Sequence, residues 1–163
     1  MLVKDAARLA ATKVLEDHWS RYTFPVDPAQ IALAMRLRVY RADLDFEISG
    51  YITKRTGSPA EIYLNANHSN LRQSFTCAHE LGHYVERSDN HDEDFSFTDL
   101  RAGQKWTAHE FFANEFAGNL LMPAYKVDEL SDRGFSLNGM ADFFLVSRDA
   151  MRTRLEKLGV YAY

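Results

Sequence analysis

The chain of 163 residues contains a single cysteine, Cys77. One cysteine excludes an internal disulfide and a zinc site built from cysteines, and it is typical of a protein from a reducing cytosol. Excess positive charge is also missing, because 19 Lys and Arg are outnumbered by 23 Asp and Glu and no basic block occurs. The net charge of −4 therefore argues against direct binding of nucleic acid through its phosphates.

Long apolar runs are absent from the sequence as well. No stretch between Met1 and Ser20 is apolar enough for a signal peptide, and no later stretch could span a membrane. Hydrophobic residues make up 46% of the chain and charged residues 26%, which is ordinary for a globular protein. We therefore expect one soluble, cytoplasmic domain over residues 1–163, without internal repeats and without a membrane partner.

Hydrophobic periodicity predicts several helices around a small sheet, which is the α+β class. A turn signal, Arg-Thr-Gly-Ser-Pro, separates the last two predicted strands and favours a hairpin, so the sheet should be mostly antiparallel and packed on the helices. The predicted strands are Arg38–Leu44, Gly50–Lys54 and Ala60–Asn65. The predicted helices are Asp5–Trp19, Ala29–Leu37, Leu71–Glu86, Trp106–Leu121, Ala124–Leu130 and Ser136–Leu158, the last divided at Val146 and Ser147.

The segment from Arg87 to Lys105 lacks this periodicity. It contains a polar, mostly acidic run from Ser88 to Asp94. Such a composition favours solvated chain over a packed element, so we expect a loop that connects two helices.

The segment from Thr76 to His83 contains the pattern His-Glu-x-x-His. On an α-helix, His79 and His83 lie one turn apart on the same face, so both imidazoles can bind one metal ion. Glu80 lies about 100° round the helix from His79. There it can reach water at the metal without being a ligand, which is the position of a general base. The pattern still requires a third ligand from another part of the chain.

Candidates for the third ligand lie on the helix predicted after the acidic segment. Glu86-Arg87-Ser88 follows His83 in place of a Gly-x-x-His continuation, so the arrangement in which that continuation supplies a third histidine is excluded. Glu110 and Asn114 share a helix face; Glu110 could complete a His₂Glu site while Asn114 orients a ligand histidine. His109 and Glu115 point to other sides of the helix. Spacing favours Glu110 modestly and leaves both of these rivals open.

Longer motifs accompany the His-Glu-x-x-His pattern and cover most of the chain. They read Pro25-Val26-Asp27-Pro28-x-x-Ile31-Ala32, Ser49-Gly50-Tyr51-Ile52, Arg72-x-x-Phe75-Thr76-x-Ala78-His79-Glu80-Leu81-Gly82-His83, Glu110-x-x-Ala113-Asn114-x-Phe116-Ala117-x-x-Leu120-Leu121-Met122-Pro123 and Phe144-x-Val146-Ser147-x-x-Ala150-Met151-x-x-Arg154-Leu155. With these motifs the chain resembles the ImmA/IrrE family of zinc metallopeptidase-like proteins.

The resemblance implies a minimal zincin-like fold, similar to thermolysin, in which a sheet with a hairpin flanks the active-site helix. It implies a zinc ion (Zn²⁺) held by His79, His83 and Glu110, with Glu80 as the catalytic acid and base. Family members are known as partners of helix-turn-helix repressors of the Xre/Cro type, whose repression they relieve. The expected function is a zinc-dependent endopeptidase that cleaves such a repressor. The alternative is a toxin or anti-repressor that binds its regulator without cleaving it.

Several smaller questions remain at the level of sequence. Cys77 points away from the metal face and should be a small core residue, and His18 and His68 belong to no pattern and should lie at the surface. Little chain follows the last motif, so we expect no sensor domain after it. We also expect no fused DNA-binding domain before the catalytic part. Four side chains could stabilise an oxyanion, and the sequence does not choose among them: Tyr84, His91, His109 and Tyr125.

Overall fold

A computed structural model describes residues 1–20, 23–89, 93–100 and 107–163, apart from the side chains of Asp89 and Asp99. The helices in these ranges are α1 (Val3–His18), α2 (Pro28–Ala34), α3 (Asn70–Asp89), α4 (Ala108–Leu121), α5 (Ala124–Asp132), α6 (Leu137–Phe144) and α7 (Arg148–Leu158). The strands are β1 (Arg38–Ala42), β2 (Ile48–Lys54), β3 (Glu61–Asn65) and β4 (Phe95–Leu100). Across the same described ranges, none of the helices combines the length and the hydropathy that crossing a bilayer requires.

The four strands form one sheet in the order β1-β3-β2-β4. β2 pairs antiparallel with both β3 and β4, whereas β1 pairs parallel with β3. The predicted hairpin and the mostly antiparallel sheet are therefore confirmed. Alternation along β2 and β3 buries Ile52, Ile62 and Leu64, because this face of the sheet is covered by α3. The fold is α+β and zincin-like, as expected.

The predicted solvated loop from Arg87 to Lys105 is wrong for residues 87–89 and 95–100. α3 continues to Asp89, and Phe95–Leu100 forms an edge strand with Phe97 opposite Ile52 of β2. The strand is hard to recognise because the alternation of apolar and polar residues is short and follows an acidic run. It is stabilised by pairing with the edge of β2, which a local pattern does not show. Residues 90–92 and 101–106, which include the predicted helix start at Trp106, lie outside the described residues.

Side-chain caps fix where several helices begin. The Asp27 carboxylate accepts a hydrogen bond from the Ala29 amide at 3.0 Å, and Pro28 occupies the first helical position of α2. Ser147 accepts from the Ala150 amide at 3.1 Å and starts α7. Both caps are short polar side chains of the kind that commonly begin helices. The same chemistry starts α4, where Thr107 Oγ1 accepts from the backbone amide of residue 110 at 3.1 Å.

Two glycines allow α3 to pack closely on both of its neighbours. A Cβ atom at Gly82 would lie 3.1 Å from the Cα atom of Ala113 on α4 and 3.1 Å from the ring of Phe116. A Cβ atom at Gly50 of β2 would lie 2.5 Å from a backbone oxygen of β3 and 2.8 Å from the methyl group of Thr76. The close packing of sheet, α3 and α4 therefore depends on the absence of these side chains. It brings the polar residues of α3 and α4 into contact.

Candidate metal centre

Three buried side chains from two helices converge between α3 and α4. One possible ligand atom from each of His79, His83 and Glu110 lies within 4.8 Å of the other two. Nε2 of His79 is 3.1 Å from Oε2 of Glu110, and Nε2 of His83 is 3.0 Å from Oε1 of the same carboxylate. The imidazole centroids are 4.9 Å apart and the rings are nearly perpendicular. Helical spacing thus supplies the two histidines, and the packing of α4 supplies the carboxylate.

The hydrogen bond between His79 and Asn114 tests whether this cluster suits a metal ion. Nδ1 of His79 lies 2.9 Å from Oδ1 of Asn114, an acceptor, so Nδ1 carries the proton. In its neutral form, His79 then turns the lone pair of Nε2 toward the carboxylate of Glu110. Two acceptors at this distance in a buried site require a proton or a cation between them. The residues therefore fit a metal ion.

The separations within the cluster agree with this conclusion. Ligands placed about 2.0–2.1 Å from a tetrahedral zinc ion are about 3.3 Å from one another. The distances from the two imidazole nitrogens to the Glu110 carboxylate are 3.1 and 3.0 Å. Two imidazoles and one carboxylate also leave a coordination position for water or substrate, as catalytic metal sites require.

Electrostatics favour the ionisation states that bind metal. Burial raises the pKa of the Glu110 carboxyl, but the hydrogen bonds and charges of His79 and His83 outweigh burial and lower the pKa to about 2. Burial lowers the pKa of the His83 imidazole, although the nearby carboxylate opposes that shift. An ionised carboxylate and a neutral imidazole are the forms that act as ligands.

Glu80 lies beside His79 on α3 and its side chain is closed to solvent. The exposed fraction is 0% for Glu80, 2% for His79 and 1% for His83. A carboxylate at this depth can exchange protons only with groups or molecules that enter the site. The arrangement can therefore hold a metal ion and a proton acceptor together, out of bulk water.

The two rival ligands on α4 face other partners. Glu115 is buried and forms an ion pair through Oε1 with the ammonium group of Lys157 on α7. Nδ1 of His109 lies 2.6 Å from Oε1 of Glu86, near the C-terminal end of α3. Across the described part of the chain, the cluster with Glu110 is the only group of three such side chains that could hold a metal. The structure thus brings together the residues that spacing favoured and separates both alternatives from them.

Phe97 of β4 is a neighbour of the site that the sequence analysis missed. Its ring stacks on the imidazole of His83 with centroids 4.3 Å apart and the planes within 2° of parallel. The available signal was the alternation Phe-Ser-Phe-Thr at residues 95–98, which the adjacent acidic run obscured. The predicted helper residue, Asn114, does lie against the cluster, on the side of His79.

The proposed oxyanion-binding groups are scattered over the structure. The imidazole of His109 contacts Glu86, the ring of Tyr125 is 44% exposed, and Tyr84 is half-buried. The remaining candidate, His91, lies outside the described residues. Of the three described groups, His109 is engaged by Glu86 instead of the cluster, and the oxyanion-stabilising role stays a prediction.

Three further predictions concern residues away from the cluster. Cys77 is buried as expected, and burial raises the pKa of its thiol to about 12, so it is not a nucleophile at neutral pH. His18 is exposed as expected. His68 is buried instead of exposed, because the turn after β3 packs its ring edge-on against Phe46 and places Nε2 2.8 Å from the Phe46 carbonyl oxygen.

The zincin-like α+β fold and the buried His-His-Glu cluster together define a metallopeptidase-like protein. The family model described as the IrrE N-terminal-like domain, of peptidase family M78, matches residues 34–156. The chain therefore belongs to the ImmA/IrrE family, and a metallopeptidase-type function follows from that membership. No curated protein matches the chain.

Proposed function

We propose that this chain is a zinc-dependent endopeptidase of narrow specificity that cleaves a helix-turn-helix repressor of the Xre/Cro type and so relieves repression. The observation that carries the catalytic part is the cluster of His79, His83 and Glu110 beside Glu80, in a member of a peptidase family. The choice of substrate rests on the family resemblance alone. The net charge of −4 disfavours nucleic acid as a partner.

The two histidines and Glu110 would hold the zinc ion through Nε2 of each imidazole and the carboxylate oxygens. When bound, zinc supplies Lewis-acid polarisation of the scissile carbonyl and of water. Asn114 keeps the proton of His79 on Nδ1, so that Nε2 is available as a donor to the ion. The buried surroundings exclude competing water and strengthen these electrostatic interactions.

Glu80 is the residue that moves the proton in this proposal. Its carboxylate accepts a proton from water as the water oxygen bonds to the scissile carbonyl carbon. The same proton is then donated to the leaving nitrogen as the C–N bond breaks. One water molecule is consumed and a carboxyl and an amino terminus are produced, so Glu80 ends each cycle in its starting state.

A second candidate function is a toxin or anti-repressor that binds its regulator without cleaving it. The near-complete burial of His79, Glu80 and His83 favours this candidate, because a peptide bond must reach these groups before it can be cleaved. In that case the metal would stabilise the packing of α3 against α4. Both candidates require the same partner class, so an experiment must separate cleavage from binding.

The test compares host cells that express the wild type with cells that express Glu80→Gln, by mapping new protein N-termini. Glu156→Gln, the same chemical change at an exposed position of α7, is the matched control. We expect a new N-terminus inside an Xre/Cro-type regulator with the wild type and the control. Its abundance should fall at least about 100-fold with Glu80→Gln, since general acid–base catalysis contributes that much or more.

The alternative outcome is equally specific. If the wild type, the control and Glu80→Gln give identical maps while each contains bound metal and co-purifies with such a regulator, cleavage without an activating signal is excluded and the binding module is supported. If cleavage persists undiminished with Glu80→Gln, the proposed role of Glu80 is wrong.

A further inference from the structure

The two histidines of the metal cluster differ in what fixes the orientation of their rings. His79 is held by a hydrogen bond from Nδ1 to Oδ1 of Asn114 at 2.9 Å. His83 is held differently, because its Nδ1 atom is buried and has no hydrogen-bond partner among the residues that the structure describes. A metal-binding histidine normally gains its orientation and basicity from a partner at its second nitrogen. Some other contact must therefore fix the ring of His83.

The contact that the structure provides is Phe97. Its ring lies parallel to the His83 imidazole, within 2°, at a centroid separation of 4.3 Å. Rotation of the imidazole about its Cβ–Cγ bond would break this stacking and would move Nε2 away from the Glu110 carboxylate, which is 3.0 Å distant. The stacked ring thus restricts rotation about Cβ–Cγ, one of the two side-chain torsions that aim the Nε2 atom of His83.

Phe97 is itself held by other interactions. Its backbone belongs to β4, where it lies opposite Ile52 of β2 in an antiparallel pair. The guanidinium carbon of Arg87, one turn after His83 on α3, lies 4.8 Å from the centroid of the Phe97 ring. A half-buried ring that is fixed by sheet pairing and by a cation can act as a rigid surface for its neighbour.

We propose that Phe97 is a positioning residue for the metal site, and that its stacking on His83 takes the place of a hydrogen bond at Nδ1, which has no partner among the described residues. β4 then completes the metal site, although none of its residues is a ligand. The inference rests on the metal-binding part of the proposed function and is independent of whether the chain cleaves a repressor.

The test measures binding of Co²⁺ to the purified full chain after the metal has been removed with a chelator. The dissociation constant is obtained by competition with a chromophoric chelator, and the visible absorption of bound Co²⁺ reports its coordination geometry. Phe97→Leu should raise the Kd about tenfold, the lower end of what losing an outer contact of a metal-binding histidine costs. It should also change the Co²⁺ spectrum. Phe97→Tyr retains an aromatic ring and should restore both.

Phe95→Leu is the matched control. Phe95 projects from the same strand to the same face and its ring lies 6.1 Å from that of Phe97. Both leucine variants should lower thermal stability, but only Phe97→Leu should change the Kd and the spectrum. If Phe97→Leu gives no folded protein, Phe97→Met replaces it, because the unbranched methionine side chain adapts to an irregular gap and removes the ring.

Three results would overturn the inference. The first is a wild-type Kd and spectrum in Phe97→Leu, or in Phe97→Met where that variant replaces it. The second is an equal loss of affinity with Phe95→Leu, which would show that β4 acts through general packing. Both leave the proposed function intact. The third is an absence of Co²⁺ binding by the wild type, which would overturn the proposed function as well.

Discussion

Two elements of the fold, α4 and β4, contact the metal-binding histidines, and they do so through different kinds of interaction. On the helical side, Asn114 and Glu110 reach the histidines from α4 with polar contacts of 2.9 to 3.1 Å. On the strand side, Phe97 of β4 touches His83 with the face of an aromatic ring. The helical support uses charge and hydrogen bonds, whereas the strand support uses shape and stacking. The comparison shows that two histidines in one motif need not be held in the same way.

The two supports also differ in how firmly the fold holds them. α4 is buried along most of its length and packs on both α1 and α3. β4 lies at the edge of the sheet and pairs with β2 alone among the described strands. Edge elements open more readily than central ones. We therefore expect the largest effect on the helical side, at the carboxylate ligand that α4 supplies.

The largest effect should follow from removing the carboxylate ligand. Glu110→Ala leaves two imidazoles without an anionic partner, and we expect metal affinity to fall by more than about 100-fold, beyond the usual cost of losing an outer contact. Isothermal titration with Zn²⁺ measures this. Glu115→Ala is the control, since Glu115 is a buried glutamate of the same helix that pairs with Lys157 instead. It should bind metal like the wild type, and equal losses in both variants would contradict the assigned ligand set.

Local periodicity made the helical side predictable. The spacing of four residues places His79 and His83 on one face, and the same spacing pairs Glu110 with Asn114. Spacing could not exclude Glu115 or His109, because the rotation of α4 about its axis depends on how it packs against the rest of the fold. The structure removes the ambiguity by placing Lys157 against one rival and Glu86 against the other.

The strand side could not be predicted in the same way. A short run with only two aromatic residues, Phe95 and Phe97, becomes a strand because the edge of β2 is available to it, and that edge is distant in sequence. His68 illustrates the same limit, because burial of a polar ring in a turn depends on a neighbour, Phe46, that no local pattern identifies. Interactions between distant segments therefore account for both errors.

The next effect in size concerns the close approach of α3 and α4. Gly82→Ala would place a methyl group 3.1 Å from the Cα atom of Ala113, a backbone atom that cannot move aside. The helices must separate by a few tenths of an ångström, which should cost about 1–3 kcal/mol in the free energy of unfolding. It should also weaken metal binding, since Glu110 moves with α4. Urea denaturation of the metal-free protein measures the first effect and Zn²⁺ titration the second.

Gly118→Ala is the matched control for this substitution. Gly118 also lies within α4, but a Cβ atom there would meet nothing closer than the Arg154 side chain at 3.8 Å. Alanine should stabilise this position by about 0.5–1 kcal/mol, because glycine in a helix loses more conformational entropy on folding. The packing argument would be wrong if the two substitutions changed stability in the same direction.

The smallest effect, and the sharpest test of the comparison, is the loss of the Asn114 hydrogen bond. Asn114→Ala frees the ring of His79 and should raise the Kd for Zn²⁺ about tenfold. Combined with Phe97→Leu, it should raise the Kd about 100-fold, because the two residues act on different histidines and independent effects add as free energies. A double variant no weaker than either single variant would mean that Asn114 and Phe97 stabilise one shared arrangement of the cluster. The contacts from α4 and from β4 would then not contribute independently to metal affinity.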